Sequence, residues 1–221
     1  MISFAIRLIT LLSAFLFAGC STLPDAQTLA KTTNGKSIAV ASRIGSDTSL
    51  KWIGTTVFNN ETKQIKSPEH ELDNQIEKAL VSALTASKNY GSVSALTSKS
   101  EPVLKQSTVL GADYLLVISE GVMVDTRFQS NQAYKGLGVF QRSMFNLSPV
   151  AINHTVLKGE LIKVSSGEII ASTTSNTIYS SGILLPSGLN LNASDINSLT
   201  DSLNGMAIRT SLELVRIFGM N

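Results

Sequence analysis

Cysteine and histidine are almost missing: the 221 residues hold one Cys and two His. A structural zinc site takes four such ligands, so that class is excluded. Charge is scarce as well, at 15% against 43% hydrophobic residues, the reverse of a disordered acidic or basic chain. The 18 Lys and Arg set against 16 Asp and Glu leave a formal net charge of +2, which gives no broad electrostatic footprint for nucleic acid. Low-complexity blocks and internal repeats are missing too, and only five prolines punctuate the chain. What remains describes an ordinary folded domain preceded by something different.

The different part is the N-terminus. Arg7 is the only charge before Cys20, and Leu8 to Phe17 forms a ten-residue apolar run. That is about half of the roughly 20 residues a helix needs to span a bilayer, and it suits the apolar region of a signal peptide. The run closes on Phe17-Ala18-Gly19-Cys20. This resembles the lipobox of bacterial lipoproteins, with Phe17 where Leu is usual. The resemblance implies cleavage between Gly19 and Cys20, acylation of Cys20, and a mature chain anchored to the membrane. An ordinary secretory signal with a chance Cys is the alternative. A lone Cys placed there also fits an oxidising compartment, because no free thiol is left after acylation. Ser21 resembles the residue of lipoproteins sorted to the outer membrane.

Residues 21–36 are small and polar and read as a tether. From Ser37 a single domain of 185 residues is expected, covering 37–221. Ser37–Ile44 and Leu50–Phe58 are rich in β-formers and are close enough to pair as a hairpin. Ser67-Pro68-Glu69 predicts a helix start, with a capping hydroxyl, a proline needing no N–H, and an acid at the positive end. Leu72, Ile76, Leu80 and Leu84 then mark one buried stripe. A short strand follows over Ser92–Leu96. Ser100-Glu101-Pro102 opens a second helix, ended by Gly111. Tyr114–Ile118 is apolar on both faces and belongs mid-sheet. Val156–Val164 and Glu168–Ile178 flank Ser165-Ser166-Gly167 as a hairpin, and Ile196–Ile217 is a long amphipathic helix ended by Gly219. Strands mixed with helices in this order predict an α+β fold, a mixed sheet with about three helices packed on it.

Three segments carry a further resemblance: Thr56-Val57-Phe58-Asn59-Asn60-Glu61-Thr62, Gly111-Ala112-Asp113-Tyr114-Leu115-Leu116 and Gly167-Glu168-Ile169-Ile170. In this order they resemble periplasmic α/β modules: the curli-secretion channel lipoprotein, the lipoprotein activators of penicillin-binding proteins, and the N-terminal domain of the Tol-system propeller protein. The resemblance implies a non-catalytic module that anchors, binds or assembles envelope machinery, and it allows a homo-oligomer.

No catalytic signature competes with that reading. The chain has no Gly-x-Ser-x-Gly elbow and no Ser-x-x-Lys pair. Gly136-Leu137-Gly138 lacks the third Gly and the Lys of a phosphate loop, and Glu69-His70-Glu71 lacks the second His of a zinc-protease helix. His70 reads as a solvated side chain and His154 as structural or exposed. Asp113, two residues past a helix-ending Gly, reads as satisfying local backbone donors, and Glu120 and Asp125 as the exit of the buried strand. No cofactor is expected.

Two segments invite a contact role. Residues 125–149 read as a long aromatic-rich loop or hairpin, with Phe128, Tyr134, Phe140 and Phe145 as candidate contacts. Ile183 and Leu184 join them from a second loop. Exposed, these side chains would form a patch for a partner; packed as a further hairpin, they would belong to the protein's own core. The leading expectation is a lipid-anchored envelope module with an unidentified protein partner, and the alternative is a periplasmic hydrolase whose cleft joins His70 or His154 to a Ser and a carboxylate.

Overall fold

The computed structural model describes residues 24–45, 47–54, 60–66, 70–96, 101–125, 132–144 and 147–220. The expected signal and cleavage residues, including Gly19 and Cys20, lie outside these ranges, as do the helix-opening Ser67-Pro68-Glu69 and Ser100. The elements are α1 (Ala26–Thr33), β1 (Ser37–Arg43), β2 (Asp47–Ile53), β3 (Glu61–Lys66), α2 (Glu71–Ser87), β4 (Ser92–Ala95), α3 (Val103–Val109), β5 (Tyr114–Glu120), β6 (Val122–Asp125), β7 (Gln132–Met144), β8 (Leu147–Lys163), β9 (Glu168–Ser180) and α4 (Ala193–Ile217). The fold is α+β, nine strands in a mixed sheet with four described helices, one more than expected.

Neighbour to neighbour the sheet reads β3-β2-β7-β8-β5-β1-β4, with β9 on β8 and β6 on β7. β9 accompanies β8 from Ile152 to Lys163, so β7 and β5 must share β8's other edge. β7 takes its first half, up to Val156, and β5 its second, from Leu157. β2 runs parallel to β7 and β1 parallel to β5. β1 and β2 therefore follow one another along the next position outward and are not the hairpin partners the sequence suggested. The true partner of β2 is β3, Glu-Thr-Lys-Gln-Ile-Lys, a polar strand that alternation could not reveal. An edge strand tolerates such residues, and its charges discourage pairing with other chains.

The break between β1 and β2 is held by two buried acids of α2. Asp73 accepts hydrogen bonds from Ser42 Oγ (2.6 Å) and Ile44 N (2.9 Å), and Glu77 accepts one from Ser42 N (2.8 Å). These donors would otherwise be buried without acceptors, at a cost of about 1–3 kcal/mol each.

One face of the sheet carries α2 and α4. Ile76, Leu80 and Leu84 of α2 and Leu203, Ala207 and Leu214 of α4 share the main core with Val40, Leu50, Leu116 and Leu157. Gly159 lets α4 close onto β8, since a side chain there would meet Phe218 Cε2 at 3.0 Å. On the opposite face α3 covers Ala39, Ala41, Leu115 and Val117. Both glycine stops act as expected. After α3, Gly111 (φ 67°) donates to Thr108 O and Ala112 to Ser107 O; after α4, Gly219 (φ 67°) donates to Arg216 O and Met220 to Val215 O. These are paired Schellman bonds. The start of α2 differs from expectation: it begins at Glu71, after His70 in the left-handed region (φ 62°) with no side-chain cap.

Residues 26–33, expected within the tether, form α1. Asp25 caps it through Gln27 N (2.8 Å) and Thr28 N (3.2 Å), and Leu29, 2% exposed, enters the main core. Its first turn lies against the end of α4, where a Cβ on Gly219 would come within 2.3 Å of Ala26 O. A single apolar side chain made no stripe in the sequence; the docking site on α4 supplies what periodicity did not.

Candidate functional site

Glycine governs the segment expected as an aromatic loop. β5 ends at Glu120, and Gly121 N still donates to Val156 O (2.9 Å) while Gly136 N donates to Gly121 O (3.1 Å). β6 and the first residues of β7 form a small antiparallel pair between these two points. From Gly136 onward β7 joins the main sheet. The described residues within 125–149 are thus strand, and β8 starts at Leu147, nine residues before the expected Val156.

Pairing turns two candidate contact residues inward. Tyr134 is 2% and Phe140 1% exposed, their rings meeting edge-on at 5.6 Å over Ile152 and Val156. They are core residues and cannot contact a partner. Phe128 and Phe145 lie outside the described residues. Ile183 is half-buried against the main core, and Leu184 is exposed. The neighbouring Leu185 is held by the Gln141 side chain, which accepts from Leu185 N (2.6 Å) and donates to Leu185 O (3.1 Å). Of the four described candidates, only Leu184 is exposed.

The same refolding creates a groove of about 350 Å³. Asp47, Ser49 and Lys51 of β2 line one wall and Glu120, Tyr134 and Lys135 the other. Lys135 Nζ stands 2.9 Å from Glu120 Oε2, and this carboxylate raises the Lys135 pKa by hydrogen bonding and by charge. His154 forms part of the lining. It sits mid-β8, opposite Gly138 of β7, where a Cβ would meet Ser49 O at 2.3 Å and His154 Cε1 at 2.8 Å. Only glycine admits the imidazole here.

His154 is 4% exposed, and its ring centroid lies 4.8 Å from that of Tyr134. Burial lowers its pKa to about 4, against the opposing pull of a hydrogen bond to the Lys135 backbone. Nδ1 finds no hydrogen-bond partner among the described residues. The imidazole is therefore neutral at ordinary pH. The groove does bring His154 near a Ser and two carboxylates, as the hydrolase alternative required. A base with a pKa of about 4 is, however, badly matched to proton abstraction near neutrality. His70 does not line this groove; its Nδ1 lies 3.9 Å from Asp73 Oδ2. Asp113 does accept from a backbone donor, but from Ser37 N of β1 (2.9 Å), 76 residues away, and not from the local donors expected.

Asp73 and Glu77 escaped sequence reasoning. The available signal was their position, one residue past Leu72 and Ile76, at the border of the buried stripe of α2.

No family model matches this chain, and no curated protein matches it. Solved structures do. PelC from Paraburkholderia phytofirmans, a dodecamer, is similar at 14% identity over 84% of this chain and 87% of its own, with a TM-score of 0.39. Lipoprotein GNA1162 from Neisseria meningitidis is similar at 10% identity over 77% and 96%, with a TM-score of 0.33. The LpoB C-terminal domain from Escherichia coli is similar at 15% identity over 69% and 93%, also with a TM-score of 0.33. At these identities and TM-scores the likeness assigns no role to this chain.

Proposed function

We propose that this chain is an envelope lipoprotein, anchored through acylated Cys20 to the outer membrane and facing the periplasm, whose folded body works by binding or assembly. The observation that carries the reading is the lipobox-like Phe17-Ala18-Gly19-Cys20 after a ten-residue apolar run, holding the only Cys in the chain. Contact through the aromatic segment is replaced by contact through β9. That strand is 13 residues long, has only β8 as a sheet partner among the described residues, and carries no charge from Ile169 to Ser180. An uncharged edge of this length is a template for an added strand.

Labelled palmitate should appear on the wild-type product and vanish in Cys20→Ala; an unlabelled wild type overturns the anchor. For contact, Ser172→Lys with Asn176→Lys puts charge on two exposed edge positions. Crosslinked adducts seen in cells should be lost while thermal unfolding is unchanged, and adducts that persist rule out the edge. The hydrolase alternative rests on the groove beside His154, and a Ser49→Ala variant that abolishes ester or amide cleavage by the purified protein would favour it.

A further inference from the structure

The strand registers define one end of the molecule. Val93, Ile38, Tyr114, Lys163 and Glu168 stand side by side across β4, β1, β5, β8 and β9. α3 delivers its C-terminus to the same end, because Gly111 to Asp113 lead straight into β5. A cleft there is lined by Lys36, Thr108, Gly111, Asp113, Lys163 and Ser165. α1 also reaches this end, joining β1 through Gly35 and Lys36.

Exposed apolar side chains gather at this end. Val109 is 81% exposed, Ile169 51%, Leu110 47% and Leu104 36%. They are not scattered, since Gly167, in the β8–β9 turn two residues before Ile169, stands 3.3 Å (from an ideal Cβ) from Leu104 Cδ2. Lys36 and Lys163, which line the cleft beside Thr108 and Gly111, and Lys105, which follows Leu104, are exposed around them. Glu168 is an exposed acid in the same row, and the Asp113 carboxylate is engaged by Ser37 N. Apolar side chains within a rim of lysines suit a surface that offers hydrocarbon and anionic headgroups together.

Chain length says which surface that is. Asp25 is fixed to the body as the cap of α1, and α1 is fixed by Leu29 and by its fit against Gly219. Four residues lie between Cys20 and Asp25, which makes five Cα-to-Cα steps. At roughly 3.5 Å per residue they reach at most about 18 Å, whatever path they take. A body held this closely by an acylated Cys20 cannot drift away from the bilayer, and the chemistry of its surface decides which side faces the lipid.

We infer that the end formed by Leu104, Val109, Leu110 and Ile169, with Lys36, Lys105 and Lys163 around them, is a membrane-contact surface that seats the body on an anionic bilayer. This inference rests on the lipoprotein reading. It assigns the body a fixed orientation, with the β2–β3 wall and the Leu184 loop turned away from the lipid.

The test uses the full acylated protein in vesicles of phosphatidylethanolamine with a minority of phosphatidylglycerol. Spin labels are placed through Val109→Cys, Ile169→Cys and, as the distal reference, Leu184→Cys. Mass spectrometry of each preparation first establishes the acyl chains on Cys20; a lipid-free mass overturns the anchor and, with it, the basis of this surface. With acyl chains present, labels at 109 and 169 should collide with dissolved oxygen several-fold more, relative to a water-soluble nickel chelate, than the label at 184. Equal, water-like ratios at all three positions overturn the contact surface and leave the anchor standing.

Discussion

His154 shows how one buried side chain sets a pH window. Its folded pKa is about 4 against an ordinary 6.5, so between these values the unfolded chain binds a proton that the folded chain refuses. Stability must then fall as pH drops through that window, by about 3 kcal/mol once both states are protonated. His154→Gln removes the titration. The difference in urea midpoint between wild type and variant should change from pH 7 to pH 4, with wild type losing ground, and a constant difference would contradict the buried neutral imidazole. Asp73 carries a structural debt of a different kind. Asp73→Ala strips the acceptor from Ser42 Oγ and Ile44 N and should cost roughly 2–4 kcal/mol by chemical denaturation. Asp201→Ala, on the exposed side of α4, should stay within about 0.5 kcal/mol of wild type.

At the scale of elements, what could be read from sequence depended on how far each signal had to reach. Gly111 and Gly219 end helices through bonds to residues a few positions earlier, and both stops were legible. The stripe of α2 and the doubly apolar β5 were legible for the same reason. β3 and β7 were not. The polar residues of β3 make sense only beside β2, and β7 pairs first with β6, then with β2 and β8, so its glycines look like loop residues until those neighbours are in place. Tyr134 and Phe140, readable from sequence as a contact patch or as core, are core for the same reason: Gly136 and Gly138 let β7 fold into the sheet against Glu120 and His154. α1 is the clearest case, an eight-residue helix too short to stand alone in water. Its stability must come from docking, so Leu29→Ala should release it. We expect a loss of about 2–3 kcal/mol, at the low end for a buried Leu because the site lies at the periphery. Hydrogen exchange should rise over residues 26–33 well before it rises in β8, and uniform protection in the variant would show that α1 does not depend on Leu29.

For the whole molecule, the docking of α1 turns a local contact into a statement about position. A free segment from Cys20 to Lys36 would let the body sample a broad shell above the membrane. With α1 fixed, only four residues remain between the lipidated position and Asp25, and the apolar, lysine-rimmed end is delivered to the bilayer at high local concentration. Four partly exposed apolar side chains and a few lysines, at about 1 kcal/mol per basic residue near an anionic surface, give modest affinity by themselves, so the short tether should matter. Inserting a 30-residue Gly/Ser segment between Leu23 and Pro24 extends the root-mean-square reach to about 30 Å. Acylation and fractionation with membranes should not change, because neither depends on where the body sits. The oxygen-to-nickel collision ratio of a label at position 109 should fall toward that at position 184, as the body spends most of its time in water. An unchanged ratio would mean that the surface holds the bilayer without help from the tether, and the closeness of α1 to Cys20 would then have no mechanical consequence.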